Sequence, residues 1–101
     1  MQTIINLYNL KPGISIEEFK KWSKEVDQKT APKQKSVYSF EVIEVKGNEN
    51  GAKYQIAEVI KVDSNEAWKE DLKTEEMKKV LEQWDKLCDG TSVVTWYGEV
   101  F

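Results

Sequence analysis

The first predicted strand, residues 3–10, carries apolar side chains on both of its faces. Successive side chains of a strand point to opposite sides of the sheet, so Ile4 and Tyr8 share one face while Ile5 lies on the other. A strand with one face in water alternates apolar and polar residues instead. Because the last predicted strand, residues 91–101, is also two-sided, we expect both faces of the sheet to be covered.

A helix start is clearly marked after the turn at residues 11–13, which contains Pro and Gly. Ser15 and Glu18 have the spacing of a capping box, in which the Ser side chain accepts the backbone N–H three residues on. Pro32 disfavours helical backbone at the residue before it. We therefore predict a helix that ends near residue 29 or 30, with an apolar stripe formed by Ile16, Phe19, Trp22 and Val26.

The middle of the chain predicts two strands followed by two helices. Residues 36–45 and 54–62 are rich in β-branched and aromatic side chains and flank a loop with two glycines. In the first of them Tyr38, Phe40 and Val42 are expected to share a face. N-caps for the two helices are supplied by Asp63 or Ser64 and by Thr74.

With Gly90 as the stop of the last helix, the predicted element order is β-α-β-β-α-α-β. A right-handed crossover makes the first unit a split β-α-β, the ferredoxin-like arrangement. We predict an α+β domain over residues 1–101, with a four-stranded antiparallel sheet and helices on one face. Since monomers rarely expose large apolar patches, the other face predicts a homodimer packed sheet to sheet.

Composition narrows the function classes. The net charge of −3, from 15 basic and 18 acidic residues, argues against nucleic-acid binding, which depends on clustered basic residues. No apolar run approaches the roughly 20 residues that span a bilayer, and no signal peptide is recognised, so we expect a cytoplasmic protein. Cys88 is the single cysteine and histidine is absent, which excludes a Ser-His-Asp triad and a Cys-His pair.

Three residues are candidates for proton transfer, since acid-base chemistry here must use Asp, Glu, Tyr, Lys or a bound water. Glu58 lies in an apolar run, where burial raises a carboxyl pKa toward the range that a general acid or base needs. Asp27 lies at the last turn of the first predicted helix, where its charge opposes the helix dipole. Tyr8 lies on a central strand. Paired or exposed carboxylates, and a core ring with a solvated hydroxyl, are the structural alternatives.

Four residues are candidates for binding a flat ligand. Asn6 lies on a central strand, requires a hydrogen-bond partner if buried, and is suited to hold a developing oxyanion. The rings of Trp22, Tyr38 and Trp96 are suited to stack on an aromatic molecule. Core packing of the rings, and a bond from Asn6 to backbone or a neighbour, are the alternatives. Because Trp96 and Tyr97 lie on opposite faces of their strand, at most one of them lines a pocket.

The stretch from Leu7 to Gly13, followed by Glu18-Phe19, Trp22, Asp27 and residues 35–42, resembles the REDY-like (HapK) family of the dimeric α/β-barrel superfamily. The resemblance implies a pocket in each subunit, between the sheet and its helices, and a link to prodigiosin-type pigment biosynthesis. It does not extend to haem degradation, because the haem-degrading members use a histidine ligand.

We therefore expect a small-molecule enzyme or accessory protein of secondary metabolism that works without metal, haem or nicotinamide cofactor. No Gly-rich phosphate loop or dinucleotide-binding fingerprint is present. The expected chemistry is proton transfer, cyclisation or oxygenation on an aromatic or pyrrolic intermediate. A non-catalytic carrier or docking partner is the main alternative, and a purely structural dimerisation module is the third.

Overall fold

A computed structural model describes all 101 residues of the chain. Its four strands are β1 (Gln2–Leu10), β2 (Val37–Glu44), β3 (Ile56–Val62) and β4 (Cys88–Gly98). They form one sheet in the order β2-β3-β1-β4, and every neighbouring pair is antiparallel. Since β3 lies between the parallel strands β1 and β2, the predicted split β-α-β arrangement is confirmed.

The helical segment between β1 and β2 contains a widened turn that the sequence pattern does not predict. The segment comprises α1 (Ile16–Trp22), a π-helical turn (Ser23–Asp27), α2 (Gln28–Thr30) and a 3-10 turn (Ala31–Lys33). Ser15 accepts the backbone N–H of Glu18 at 3.1 Å, so the predicted N-cap is confirmed. The predicted end of the α-helix before Pro32 is also confirmed.

The two remaining helices, α3 (Asn65–Asp71) and α4 (Glu75–Leu87), follow β3 directly. Ser64 caps α3 by accepting the backbone N–H of Ala67 at 3.0 Å. Thr74 caps α4 in the same way and leaves fewer unpaired N–H groups at its start. None of the helices combines the length and apolar character that crossing a membrane requires.

The prediction that Gly90 stops the last helix is wrong. The helix ends at Leu87, and Cys88 is already extended and paired with Leu10 of β1. The start of β4 is therefore set by its pairing with β1, which extends as far as Leu10 and Cys88. The register between β1 and β4 shifts just before this pair, where the backbone N–H of Asn9 donates to the Ser92 hydroxyl at 2.8 Å.

Helices cover only one face of the sheet. On that face, Ile4 and Ile60 pack with Trp68, Met77 and Val80 of α3 and α4 in one buried cluster. A second cluster is formed by Tyr8, Leu10, Phe19, Ile56 and Cys88. The opposite face carries the exposed apolar side chains Ile5, Ile43 and Trp96. The predicted two-sided character of the sheet is thus confirmed, and we call this second surface the uncovered face.

Tyr38 departs from its predicted position. The register of β2 against β3 shifts between Val37 and Ser39, which marks a β-bulge. As a result Val37 packs against the core, whereas Tyr38 is 62% exposed and donates its hydroxyl to Asp63 at 2.5 Å. The prediction that Tyr38 shares the face of Phe40 is wrong, because strict alternation does not hold across a bulge.

Candidate functional site

A cavity of about 280 Å3 lies between the helix-covered face of the sheet and helices α3 and α4. Most of its wall is apolar and includes the rings of Trp68 and Trp84. A few polar side chains converge on it, which is the usual composition of a small-molecule site. The polar residues in the wall that come from the sheet and the first helical segment are Asn6, Tyr8, Asp27, Glu58 and Thr95.

Three of these side chains form a row across the sheet. Asn6 of β1 is paired with Glu58 of β3 on one side and with Thr95 of β4 on the other. Directly opposed side chains on one face lie within hydrogen-bond reach. The Thr95 hydroxyl donates to Asn6 Oδ1 at 2.8 Å, and Asn6 Nδ2 donates to Glu58 Oε1 at 3.1 Å. Thr95 therefore fixes the orientation of the Asn6 amide.

Tyr8 completes the hydrogen bonding of Glu58 from the next core-facing position of β1. Its hydroxyl donates to Glu58 Oε2 at 2.6 Å. Its ring packs edge-on against Trp84, with 5.1 Å between centroids, and lies 6.2 Å from Phe19. Burial first, and then the charge of Glu58, raises the pKa of the Tyr8 phenol. Tyr8 therefore stays protonated and acts as a donor to Glu58.

Asp27 is the last residue of the π-helical turn and is only 4% exposed. Turns of this kind are frequent at functional sites. The carboxyl oxygen Oδ2 of Asp27 is buried and has no hydrogen-bond partner. Burial, together with the charge of Glu58, raises the pKa of Asp27 to about 8, while hydrogen bonding with Ser23 opposes the rise. Asp27 is therefore mainly neutral near pH 7.

The two carboxyl groups are unequal. Burial raises the pKa of Glu58 as well, but the hydrogen bonds from Tyr8 and Asn6 favour its ionised form. Asp27 has no matching pair of donors. Two interacting acids lose their protons in steps that belong to the pair. The hydrogen bonds thus favour the ionised form on Glu58 and favour Asp27 as the protonated member of the pair.

The cavity brings together four of the seven sequence-predicted site residues: Asn6, Tyr8, Asp27 and Glu58. The other three lie elsewhere. Trp22 packs against both core clusters and donates its indole N–H to Gln83 at 2.7 Å. Trp96 is paired with Ile5 on the uncovered face and is 62% exposed, and Tyr38 is exposed at its bulge.

Several residues of the wall were not named as ligand-binding candidates from the sequence. Trp68 and Trp84 supply the aromatic wall, Lys69 of α3 is its single basic residue, and Thr95 orients Asn6. The apolar stripe of α4 places Trp84 on the core side. Threonine as a residue type does not indicate ligand binding. Thr95 is therefore identified as part of the site only by the structure, which shows which side of β4 faces the core.

Comparison with known proteins defines the family. A family model described as REDY-like protein HapK matches residues 2–100. The chain belongs to this family. The crystal structure of HapK from Hahella chejuensis superposes with a TM-score of 0.84 at 28% sequence identity, covering 100% of this chain and 93% of HapK. No curated protein matches the chain.

Two more distant structures share the fold alone. A dimeric ferredoxin-like protein from Thermobifida fusca gives a TM-score of 0.75 at 11% identity, covering 98% of this chain and 90% of that one. SnoaB from Streptomyces nogalater, a cofactor-independent oxygenase, gives 0.72 at 9% identity, covering 99% and 92%. The α+β, ferredoxin-like fold class predicted from the sequence is confirmed.

Proposed function

We propose that the chain is a cofactor-independent enzyme of secondary metabolism that moves a proton on an aromatic or pyrrolic intermediate, within the biosynthesis of a prodigiosin-like pigment. One observation carries this function: Asp27 and Glu58 lie in the wall of one apolar cavity, and only Glu58 receives hydrogen bonds from Tyr8 and Asn6. Two acids that differ in protonation state within one site are suited to act as a general acid and a general base.

The roles follow from the hydrogen bonds. Glu58, ionised, removes a proton from a C–H or N–H of the substrate, and Asp27, neutral, delivers a proton to another atom of the same molecule. The substrate is thereby rearranged or cyclised with no net change in protons. The second N–H of Asn6 is available to a developing oxyanion, because the first is bonded to Glu58.

The aromatic wall gives the substrate its orientation. Trp68 and Trp84, rather than Trp22 and Trp96, present their rings to the cavity, and a flat conjugated molecule packs against such rings in an offset or edge-on geometry. An oxygenation variant uses the same base, with the deprotonated substrate itself reacting with O2. The fold is compatible with that variant, because SnoaB is a cofactor-independent oxygenase on the same fold.

The test is turnover of aromatic and pyrrolic intermediates by the wild type and by the variants Glu58→Gln and Asp27→Asn, followed by mass spectrometry. Loss of a general acid or base is expected to slow turnover by about 100-fold or more. Glu82→Gln, an exposed change on α4, is the matched control. Unchanged turnover in both cavity variants contradicts the assignment, and a ligand that every variant binds and returns unchanged identifies a carrier.

We also propose that two copies of the chain associate through the uncovered face. Ile5, Ile43 and Trp96 expose apolar area there, and burying such area is the main driving force of association. The dimeric description of the Thermobifida fusca protein supports this arrangement.

A further inference from the structure

We propose that the cavity takes a flat ligand carrying a protonated nitrogen, whose N–H donates to Asp27 and whose positive charge is balanced by Asp27 and Glu58. This ligand class rests on the proposed function, since it specifies what the same cavity binds. It goes beyond that function by assigning the ligand a charge and a point of attachment.

The unpaired oxygen of Asp27 indicates a donor in the ligand. Buried polar atoms in proteins are almost always hydrogen-bonded, and an unpaired one costs about 1–3 kcal/mol. Asp27 Oδ2 is buried without a partner, although the residue lines the cavity. Glu58, in contrast, has both of its oxygens bonded within the chain. The open hydrogen-bonding position therefore belongs to Asp27, and an N–H group of the ligand satisfies it.

The charges around Asp27 favour a cation. The charge that acts on Asp27 is that of Glu58 of β3. Tyr8 of β1 and Lys69 of α3 lie in the same cavity wall, and the charge of Asp27 acts on Cys88 of β4. Tyr8 and Cys88 stay neutral, because burial raises the pKa of both, that of Cys88 to about 12. On the segment of Asp27 itself, Lys24 and Glu25 are exposed to solvent.

Lys69 is thus the one positive side chain available to two buried carboxyl groups, and it is exposed. An anionic ligand would meet the charge of Glu58 inside an apolar wall, where repulsion is poorly screened. A cationic ligand meets two carboxyl groups and the faces or edges of Trp68 and Trp84. Cation–π attraction between such rings and a cation adds about 0.5–2 kcal/mol.

Binding of a cation also changes the proton count of the pair. A positive charge beside Asp27 favours its ionised form and lowers its pKa. Since Asp27 is mainly neutral near pH 7, it releases up to one proton when the cation binds. A preformed cation that does not react sends this proton to solvent, whereas a substrate nitrogen that enters neutral receives it from Asp27 in the general-acid step proposed above. A neutral ligand of the same shape releases none. Proton release is therefore a signature that simple filling of an apolar cavity does not produce.

The experiment is titration calorimetry with three probes of one shape: naphthalene-2-carboxamidine, a cation; naphthalene-2-carboxamide, which is neutral; and naphthalene-2-carboxylate, an anion. Measurement in two buffers of different ionisation enthalpy counts the protons released. We expect the amidine to bind about 10-fold or more tightly than the amide, with proton release, and the carboxylate to bind weakest.

Variants locate the effect. Asp27→Asn is expected to weaken amidine binding by about 10-fold, to abolish proton release and to leave amide binding nearly unchanged. Glu82→Gln, the exposed control, is expected to change neither. Equal or tighter binding of the amide, an Asp27→Asn variant with full amidine affinity, or no binding of the amidine overturns the ligand class. If Glu58→Gln still abolishes turnover of a neutral substrate, the proposed function survives that failure.

Discussion

Tyr8 and Glu58 are joined by a 2.6 Å hydrogen bond between the central strands β1 and β3. The bond fixes one of two buried carboxyl groups as the charged member of its pair, because a donor to a carboxylate stabilises the ionised form. The partner carboxyl of Asp27 has one oxygen, Oδ2, without any donor, and burial favours its protonated form. The Tyr8 phenol, together with the Asn6 amide, thus makes the two acids that share the cavity unequal.

The variant Tyr8→Phe is expected to raise the pKa of Glu58, since it removes a donor to the ionised form while keeping the ring that packs on Trp84. Nuclear magnetic resonance of carbon-13-labelled Glu side chains measures this pKa directly. The acid limb of any pH–rate profile that depends on ionised Glu58 shifts upward with it. Tyr97→Phe, which changes an exposed phenol, is the control. An unchanged Glu58 titration in Tyr8→Phe contradicts the assigned role of the bond.

The stability of the wild type is expected to fall as pH rises between about 4 and 8. The pKa of Asp27 is about 8 in the folded chain and about 3.9 in an unfolded one. In this window the folded state binds more protons than the unfolded state, so the free energy of unfolding decreases with pH. For one such group the slope approaches about 1.4 kcal/mol per pH unit.

Urea denaturation at several pH values within this window measures the slope. Asp27→Asn is expected to reduce the slope of stability against pH. The slope that remains is the contribution of Glu58, whose raised pKa also makes the free energy of unfolding fall with pH. The exposed control Glu82→Gln is expected to keep the wild-type slope. A wild-type stability that rises steadily from about pH 4 to pH 8 would show that Asp27 is ionised in the folded protein.

Local signals predicted much of the fold. Ser15 as a helix N-cap and the two-sided character of β1 follow from residue types and strand alternation, and both are found. Position within the sheet is not local in this sense. The start of β4 at Cys88 depends on pairing with Leu10, which no feature of Gly90 reveals.

The candidate site was predictable where it depends on local signals and not where it depends on tertiary packing. A charge within an apolar run marks Glu58, and alternation places Asn6 and Tyr8 on one face of β1. That this face is also the face of Glu58 follows only from the pairing of β1 with β3. The aromatic wall was not predictable in detail. Tyr38 is turned away from the core by a β-bulge. Trp96 lies on the uncovered face, beside Ile5. Which side of β4 the helices cover is decided by tertiary packing and is not encoded in the local pattern.

Cys88 is expected to be unreactive in the folded protein. The thiol is fully buried, and burial, together with the charges of Glu58 and Asp27, raises its pKa to about 12. The thiolate is the reactive form, and it is almost absent at neutral pH. Ellman's reagent should therefore label Cys88 only after denaturation, whereas an added cysteine in Glu82→Cys, at an exposed site, should react at once. Rapid labelling of native wild type contradicts the placement of this side chain.

The substitution Trp96→Glu is expected to convert a dimer into a monomer. Trp96 is 62% exposed on the uncovered face, beside Ile5. Sheet-to-sheet packing would bury the indole, and a carboxylate in its place loses that apolar area and adds an unpaired buried charge. We expect the dimer dissociation constant to rise by about 100-fold or more, measured by light scattering coupled to gel filtration.

Tyr97→Glu is the matched control, because Tyr97 is 60% exposed on the opposite side of β4. If Tyr97→Glu dissociates the dimer while Trp96→Glu does not, the contact lies on the helix-covered side of β4. If the wild type is monomeric at micromolar concentration, the uncovered face does not hold two copies together.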